Sequence, residues 1–249
     1  MIKCMKFDVL TLFPSMFDAV LGDSIIGRAR EKGIIEMNFT DIRDFTLNKH
    51  RKVDDYPYSG GGGMLMQAQP VYDAYKSVTA DCEKKPLTIY MSPQGKVFNQ
   101  KTAVELSKEE HIVILCGHYE GVDQRVLDEI ADMELSLGDF VMTGGELPAM
   151  AVIDTVSRLI PGVLANEGSY ENESHFNGLL EYPQYTRPPI WNGHEIPEIL
   201  ISGHHANIEK WKREQSLLNP LKKRPDMLEK ADLTEEDMKF LERNGYKSE

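Results

Sequence analysis

His111-Ile112-Val113-Ile114-Leu115-Cys116 runs without a break into Gly117-His118-Tyr119-Glu120-Gly121, and residues 122–130 then read as a helix. An apolar run of this length, with no polar alternation, reads as a strand buried on both faces. A buried strand, a small-residue turn and a helix make one βα unit of a parallel sheet. The pattern repeats at once. Residues 133–137 form a short strand, Gly138-Asp139-Phe140-Val141-Met142-Thr143-Gly144-Gly145 a loop, and a helix covers 146–160 before Pro161-Gly162 ends it. Two successive turns this poor in side chains let backbone N–H and C=O groups approach a ligand closely. Neither is a phosphate loop. No GxGxxG occurs, and Gly60-Gly61-Gly62-Gly63 continues into Met64-Leu65 rather than Lys-Ser/Thr. The chain is expected to hold a ligand by main-chain contacts without the usual phosphate signature.

Toward the N-terminus, residues 5–13 are a buried first strand, 14–32 one helix opened by Pro14 and stopped by Gly33, and 34–39 a second strand. Residues 43–63 are polar and then glycine-rich, as expected of a long functional loop. A helix over 68–80, a strand over 87–91, a turn at Ser92-Pro93-Gln94-Gly95 and a helix over 100–107 lead back to the first βα unit. The fold class is α/β with a parallel sheet. Ligands of such sheets lie at the carboxyl ends of the strands, where the loops after Met91, Cys116 and Leu137 fall. Beyond Gly162 the character changes. Residues 164–178 are polar, acidic and aperiodic, a linker, and helical patterns succeed them. Asn207 is expected to cap a helix carrying Ile208, Trp211 and Leu218, and Thr234-Glu235-Glu236-Asp237 resembles a capping box.

The 249 residues suit one large domain with a smaller companion, and 41% apolar content is ample for a core. No apolar run approaches the ~20 residues of a membrane span, and Met1 to Asp8 contains no signal-peptide core. The three cysteines, Cys4, Cys82 and Cys116, are odd in number and lack CxxC spacing. Neither a disulfide framework nor a zinc site is expected, and a reducing cytoplasm fits. A net charge of −12 opposes non-specific nucleic-acid binding, but the average hides clusters. Between His204 and Arg224, Lys210, Lys212, Arg213, Lys222, Lys223 and Arg224 face only Glu209 and Glu214, and Lys49-His50-Arg51-Lys52 is a second patch. Such patches can steer a polyanion, although each alone also reads as a solvated face.

Six motifs in order then carry a family resemblance over nearly the whole chain. They are Tyr58 to Met66, Tyr90 to Gly95, Cys116 to Gly121, Leu137 to Pro148, Ile160 to Val163, and Gly178 to Pro188. Together they resemble bacterial tRNA (guanine-N1)-methyltransferase. The resemblance implies a SPOUT fold whose sheet is tied into a deep trefoil knot, which sequence physics would not have suggested since knots are rare. It implies a catalytic domain over 1–163, a flexible linker over 164–178 and a C-terminal helical tRNA-binding domain over 179–249. It further implies S-adenosylmethionine as methyl donor, a homodimer whose active site is shared between subunits, and a target in the anticodon arm: N1 of the guanosine just 3′ of the anticodon. No resident metal is implied, and a requirement for Mg²⁺ is left open.

By that resemblance the donor pocket comprises Tyr90, Met91, Ser92, Pro93, Gly117, Tyr119, Glu120, Gly121, Leu137, Gly138, Phe140, Met142, Gly144, Gly145 and Pro148. The physics agrees: amides can read an adenine edge, glycines leave room for a bent ligand, and Glu120 suits a cationic donor. His118 stands where many relatives carry Arg and receives no role. Guanine N1 bears a proton, so a base must remove it while charge grows on O6. The resemblance gives Arg158 as the O6 partner and a linker carboxylate as the base. Relatives carry Asp there; this chain has Glu173, with Glu171 a near alternative. A knotted methyltransferase acting on another RNA is the runner-up, a catalytically inactive RNA-binding module a third reading. A nucleotide-dependent metabolic enzyme would need a phosphate-cradling motif.

Overall fold

Five of the apolar runs pair into one sheet, and every pairing in it is parallel. The strands are β1 (Met5–Thr11), β2 (Ile35–Asp41), β5 (Leu87–Val97), β6 (His111–Cys116) and β7 (Met133–Ser136), in the order β2-β1-β6-β5-β7. The computed structural model describes residues 4–60, 62–165, 170 and 173–247. It divides into two units, Met1–Glu167 and Gly168–Glu249.

In the first unit, α1 (Ser15–Leu21), α2 (Ser24–Glu31), α3 (Ala68–Thr79), α4 (Gln100–Leu106), α5 (Gln124–Ile130) and α6 (Glu146–Ser157) connect the strands, with a two-residue pairing of β3 (Asp54–Asp55) and β4 (Leu65–Met66) in the long loop. Leu10 of β1, Leu12 just beyond it, and Val113 and Leu115 of β6 pack on Val71, Ala74 and Tyr75 of α3 and on Val126, Leu127 and Ile130 of α5. The alternate β1 and β6 residues Phe7, Val9, Ile112 and Ile114 are fully buried too. Burial on both faces explains why these strands read as unbroken apolar runs. On α6, Ala149, Val152, Ile153 and Val156 are fully buried, and the helix packs with β6, α1 and α4.

Three expectations are corrected. The single helix over 14–32 is two, because Gly22-Asp23 interrupts it and Asp23 is extended at φ −115°. The turn at 92–95 is not the end of a strand. β5 continues to Val97, with Met91 and Lys96 both opposite Leu135, so the four residues between them bulge out. Asn207 does not cap the long C-terminal helix, which already begins at His205.

The second unit contains a hairpin of β8 (Ile190–Trp191) and β9 (His194–Glu195), then α7 (His205–Lys223), α8 (Pro225–Leu228) and α9 (Glu235–Arg243). Leu179, Leu217, Leu228 and Leu241 form its core. The capping box is as read. Thr234 Oγ1 accepts from the Asp237 N–H, and the Asp237 carboxylate accepts from the Thr234 N–H. Of the expected linker, residues 173–178 are turn structure tied to residues 179–181: the His175 N–H donates to the Leu179 carbonyl at 2.8 Å, and the Glu181 N–H to Ser174 Oγ at 2.9 Å.

Candidate functional site

Three segments converge at the carboxyl edge of the sheet: the β5 bulge, the loop after β6 and the loop after β7. Each is shaped by its own backbone. In the bulge, Ser92 Oγ accepts from the Gln94 N–H at 3.1 Å. After β6, Tyr119 is left-handed at φ 59° and the Gly121 N–H donates to the His118 carbonyl at 3.1 Å, a tight turn. After β7, Ser136 Oγ both accepts from the Gly138 N–H at 3.1 Å and donates to the Gly138 carbonyl at 2.9 Å. The second and third loops are then joined. His118 pairs with Gly144 in an antiparallel bridge, and the Gly145 N–H donates to the Gly117 carbonyl at 2.9 Å.

That junction requires glycine. A Cβ on Gly145 would lie 2.7 Å from Cys116 Cα, and one on Gly144 would lie 2.4 Å from Glu146 Oε2 and 2.6 Å from His118 Nδ1. Beneath it Glu146, only 3% exposed, accepts from Thr11 Oγ1 at 2.8 Å and so ties the start of α6 to the end of β1. Burial, with the Glu146 charge second, pushes the adjacent Cys116 thiol well above its ordinary value.

The three loops enclose a cavity of about 360 Å³. Every residue expected to hold the donor lines it except Gly138, which lies within the turn after β7. The wall adds residues that sequence reasoning passed over, among them Gln94, His118, Gln124, Glu134 and Thr143. His118 Nδ1 is buried with no hydrogen-bond partner among the described residues, and its ring meets Phe13 and Tyr119 edge-on, each at 5.2 Å between centroids. The glycine run set aside as not a phosphate loop also belongs here. The Glu120 N–H donates to the Met64 carbonyl at 3.0 Å, and a Cβ on Gly63 would strike the Glu120 side chain. Only its proximity in the fold reveals this; nothing in the run itself signals it.

The charge of the wall is one-sided. Glu120 and Glu134 contribute carboxylates, and no Lys or Arg lines the cavity among the described residues. Burial, then the Glu134 charge, raises the Tyr90 phenol above its ordinary value, so Tyr90 presents a neutral, donating hydroxyl. A phosphate would meet repulsion here without a compensating cation. A cationic ligand with a flat apolar part finds two carboxylates, Phe140, Tyr90 and open main-chain groups.

Neither expected catalytic residue is among those lining the cavity. Arg158, half-buried, ends α6, whereas the cavity sits at the start of that helix. The twelve residues of α6 make about 18 Å of helix, and Arg158 is not among the residues lining the cavity. Glu173 belongs to the second unit, in a turn where its N–H donates to the Tyr170 carbonyl at 3.1 Å. Glu171 lies outside the described residues. No group of three or more His, Cys, Asp or Glu side chains placed to hold a metal ion occurs among the described residues.

The fold is a parallel α/β sheet whose carboxyl edge holds a cavity lined, among the described residues, by glycine-rich loops and no Lys or Arg. Residues 5–230 match the family tRNA (Guanine-1)-methyltransferase TrmD, and the chain belongs to that family. It is 63% identical over 226 residues to a tRNA (guanine-N(1)-)-methyltransferase of Ruminiclostridium cellulolyticum, covering 91% of this chain and 97% of the relative. The proteins of the same name from Clostridium perfringens and Clostridium botulinum are 57% and 56% identical over 237 residues, covering 95% of this chain and 99% and 97% of the relatives.

Proposed function

We propose that this enzyme transfers a methyl group from S-adenosylmethionine to N1 of the guanosine immediately 3′ of the anticodon in tRNA. The observation that carries the reading is the wall of the cavity, with two carboxylates and no cation among its described residues. A sulfonium donor is attracted to such a wall and a nucleotide is repelled. The enzyme works in the cytoplasm, and no helix among the described residues is long and apolar enough to cross a membrane.

The chemistry assigns the remaining roles. N1 attacks the methyl carbon in line with the sulfonium; the C–S bond breaks, its electron pair stays on sulfur, and the N1 proton goes to the carboxylate of Glu173. The Arg158 guanidinium stabilises the charge that grows on O6. Arg158 ends α6 and is not among the residues lining the cavity, which supports a homodimer in which the guanidinium at a given cavity is the second subunit's. The sheet carries the trefoil knot of its family, which keeps the glycine loops pressed together. The C-terminal helices hold the anticodon arm.

The test is transfer of labelled methyl to a tRNA transcript, run beside a transcript in which the target guanosine is adenosine. Label should enter the first and not the second. Equal labelling would move the reaction to another base, and no labelling of either would leave an RNA-binding protein without this activity.

A further inference from the structure

At the opposite, amino edge of the sheet, three side chains that the methyl-transfer reading does not use line up. Asp8 of β1 is buried, and its Oδ2 lies 2.6 Å from His111 Nε2 at the start of β6. On the other side of the ring, Cys82 Sγ lies 3.6 Å from His111 Nδ1. Cys82 reaches this place from the turn after α3, where its N–H donates to the Thr79 carbonyl at 3.1 Å. Both Asp8 and His111 point to the α3 face of the sheet, on the same strand parity as Leu10 and Leu12 and as Val113 and Leu115.

The proton positions are set by the acceptors. Burial alone would raise the Asp8 carboxyl, but hydrogen bonds from His111, Asn38 and Lys6 outweigh it and hold it below the ordinary value. Asp8 is therefore a carboxylate that only accepts, and Nε2 of His111 must carry its hydrogen toward it. In the neutral ring Nδ1 then presents a lone pair to the Cys82 thiol. This is the arrangement in which a third group orients a base against a nucleophile. The Val78 carbonyl also lies 3.6 Å from the sulfur, and the Lys6 ammonium lies 3.1 Å from Asp8 and 4.0 Å from Glu36. A cysteine that only fills space is satisfied by that carbonyl and needs no oriented imidazole.

We propose that Cys82, His111 and Asp8 form an activated-thiol site at which Cys82 exchanges with small disulfides. His111 Nδ1 takes the thiol proton, and the sulfur attacks the nearer sulfur of a disulfide R–S–S–R. A new Sγ–S bond forms, the old S–S bond breaks, and its electron pair leaves on the departing sulfur, which recovers the proton from His111. Cys82 is oxidised to a mixed disulfide while half of the reagent is reduced to a thiol. The other two thiols are built differently. Cys116 is wholly buried, and the exposed Cys4 has its sulfur 3.8 Å from the Met5 carbonyl, with no imidazole partner among the described residues. Cys82 is partly exposed, so a small disulfide can reach it.

The test uses the full chain with Cys4→Ser, so that the freely exposed thiol is silent, and the aromatic disulfide 5,5′-dithiobis(2-nitrobenzoate) at pH 7. One equivalent of the coloured thiol should be released per chain, with the adduct mapped by mass to Cys82. The rate should be about tenfold above that of the same chain in urea, since an activated thiol outruns an ordinary one. His111→Gln should remove most of that advantage and Lys6→Met, at a side chain one-third exposed, a smaller part. Reaction no faster than in urea, an adduct only on Cys116, or a rate indifferent to both substitutions would overturn the assignment. The comparison with the urea-unfolded chain decides the matter even if His111→Gln fails to fold.

Discussion

Gly145→Ala isolates the junction between the two glycine loops. Gly145 has φ −81° and ψ −6°, a conformation any residue adopts, so alanine brings no backbone strain. What it brings is one methyl carbon, 2.7 Å from Cys116 Cα, 3.0 Å from the Gly117 nitrogen and 3.1 Å from Cys116 Cβ. Carbon atoms sit comfortably at about 3.5–4.0 Å, and two of these obstacles are main chain of a fully buried segment. The loop after β7 must therefore retreat by about an ångström, breaking the 2.9 Å hydrogen bond from the Gly145 N–H to the Gly117 carbonyl. Overpacking of this kind costs roughly 1–3 kcal/mol. If that cost falls on the donor-ready arrangement, affinity drops by about tenfold to a hundredfold; if it falls on the whole unit, the melting temperature drops by about 2–10 °C. Calorimetric titration with S-adenosylmethionine and a thermal melt measure the two shares. Gly62→Ala is the control, because a Cβ there meets nothing within 4 Å. Wild-type donor affinity and an unchanged melt in Gly145→Ala would refute the account of why these loops carry glycine.

Three further outcomes are expected. Glu173→Gln should slow methyl transfer by about 10²–10⁴ with donor binding intact, while Glu173→Asp retains substantial activity; a fast Glu173→Gln beside a dead Glu171→Gln would pass the role to Glu171. Mixing subunits that carry Arg158→Ala with subunits that carry Gly145→Ala should restore one working site per mixed dimer, whereas a fully active monomer by sedimentation would end the shared-site reading. Lys222→Glu with Lys223→Glu should weaken tRNA binding and reduce the steepness of its salt dependence by about two phosphate equivalents. Arg224→Glu should add little, because Arg224 already pairs with Asp226 at 2.7 Å. Asp237 is held below the ordinary carboxylate value: burial would raise it, but Arg213 and the Thr234 N–H and hydroxyl outweigh that. Its contribution is therefore complete above the unfolded value near 4 and is lost as pH falls through the lower folded value. Asp237→Asn should destabilise the C-terminal unit at pH 7, and the gap from wild type should close as pH falls below about 4 in circular-dichroism melts.

The strands were legible because all but the edges are buried on both faces, which leaves an unbroken apolar run. What was not legible has specific causes. Gly22-Asp23 splits a helix whose apolar spacing continues through the break, so periodicity alone bridges it. The β5 bulge was read as a turn because Ser92-Pro93-Gln94-Gly95 has turn composition; only the return of Lys96 to Leu135 shows that the strand resumes. The basic cluster on α7 was overcounted. Lys212 pairs with Glu209 and Arg213 with Asp237, both at 2.7 Å, and the latter partner is 24 residues away in sequence.

The site divides along the same line. Its main-chain half was visible, since small residues after buried strands announce themselves. Its closing contacts were not, because Glu146 under Thr11 and Gly63 against Glu120 join segments more than fifty residues apart. The separation along α6 bears on the proposed shared site. If residues 146–160 are a helix, thirteen steps separate Gly145 from Arg158, and at 1.5 Å per residue they stand about 20 Å apart. No rearrangement short of melting α6 brings the two together, and melting it would expose Ala149, Val152, Ile153 and Val156, all fully buried. On the proposed assignment of Arg158 to O6, a reaction that needs both ends of that helix at one guanine takes them from two copies of the chain.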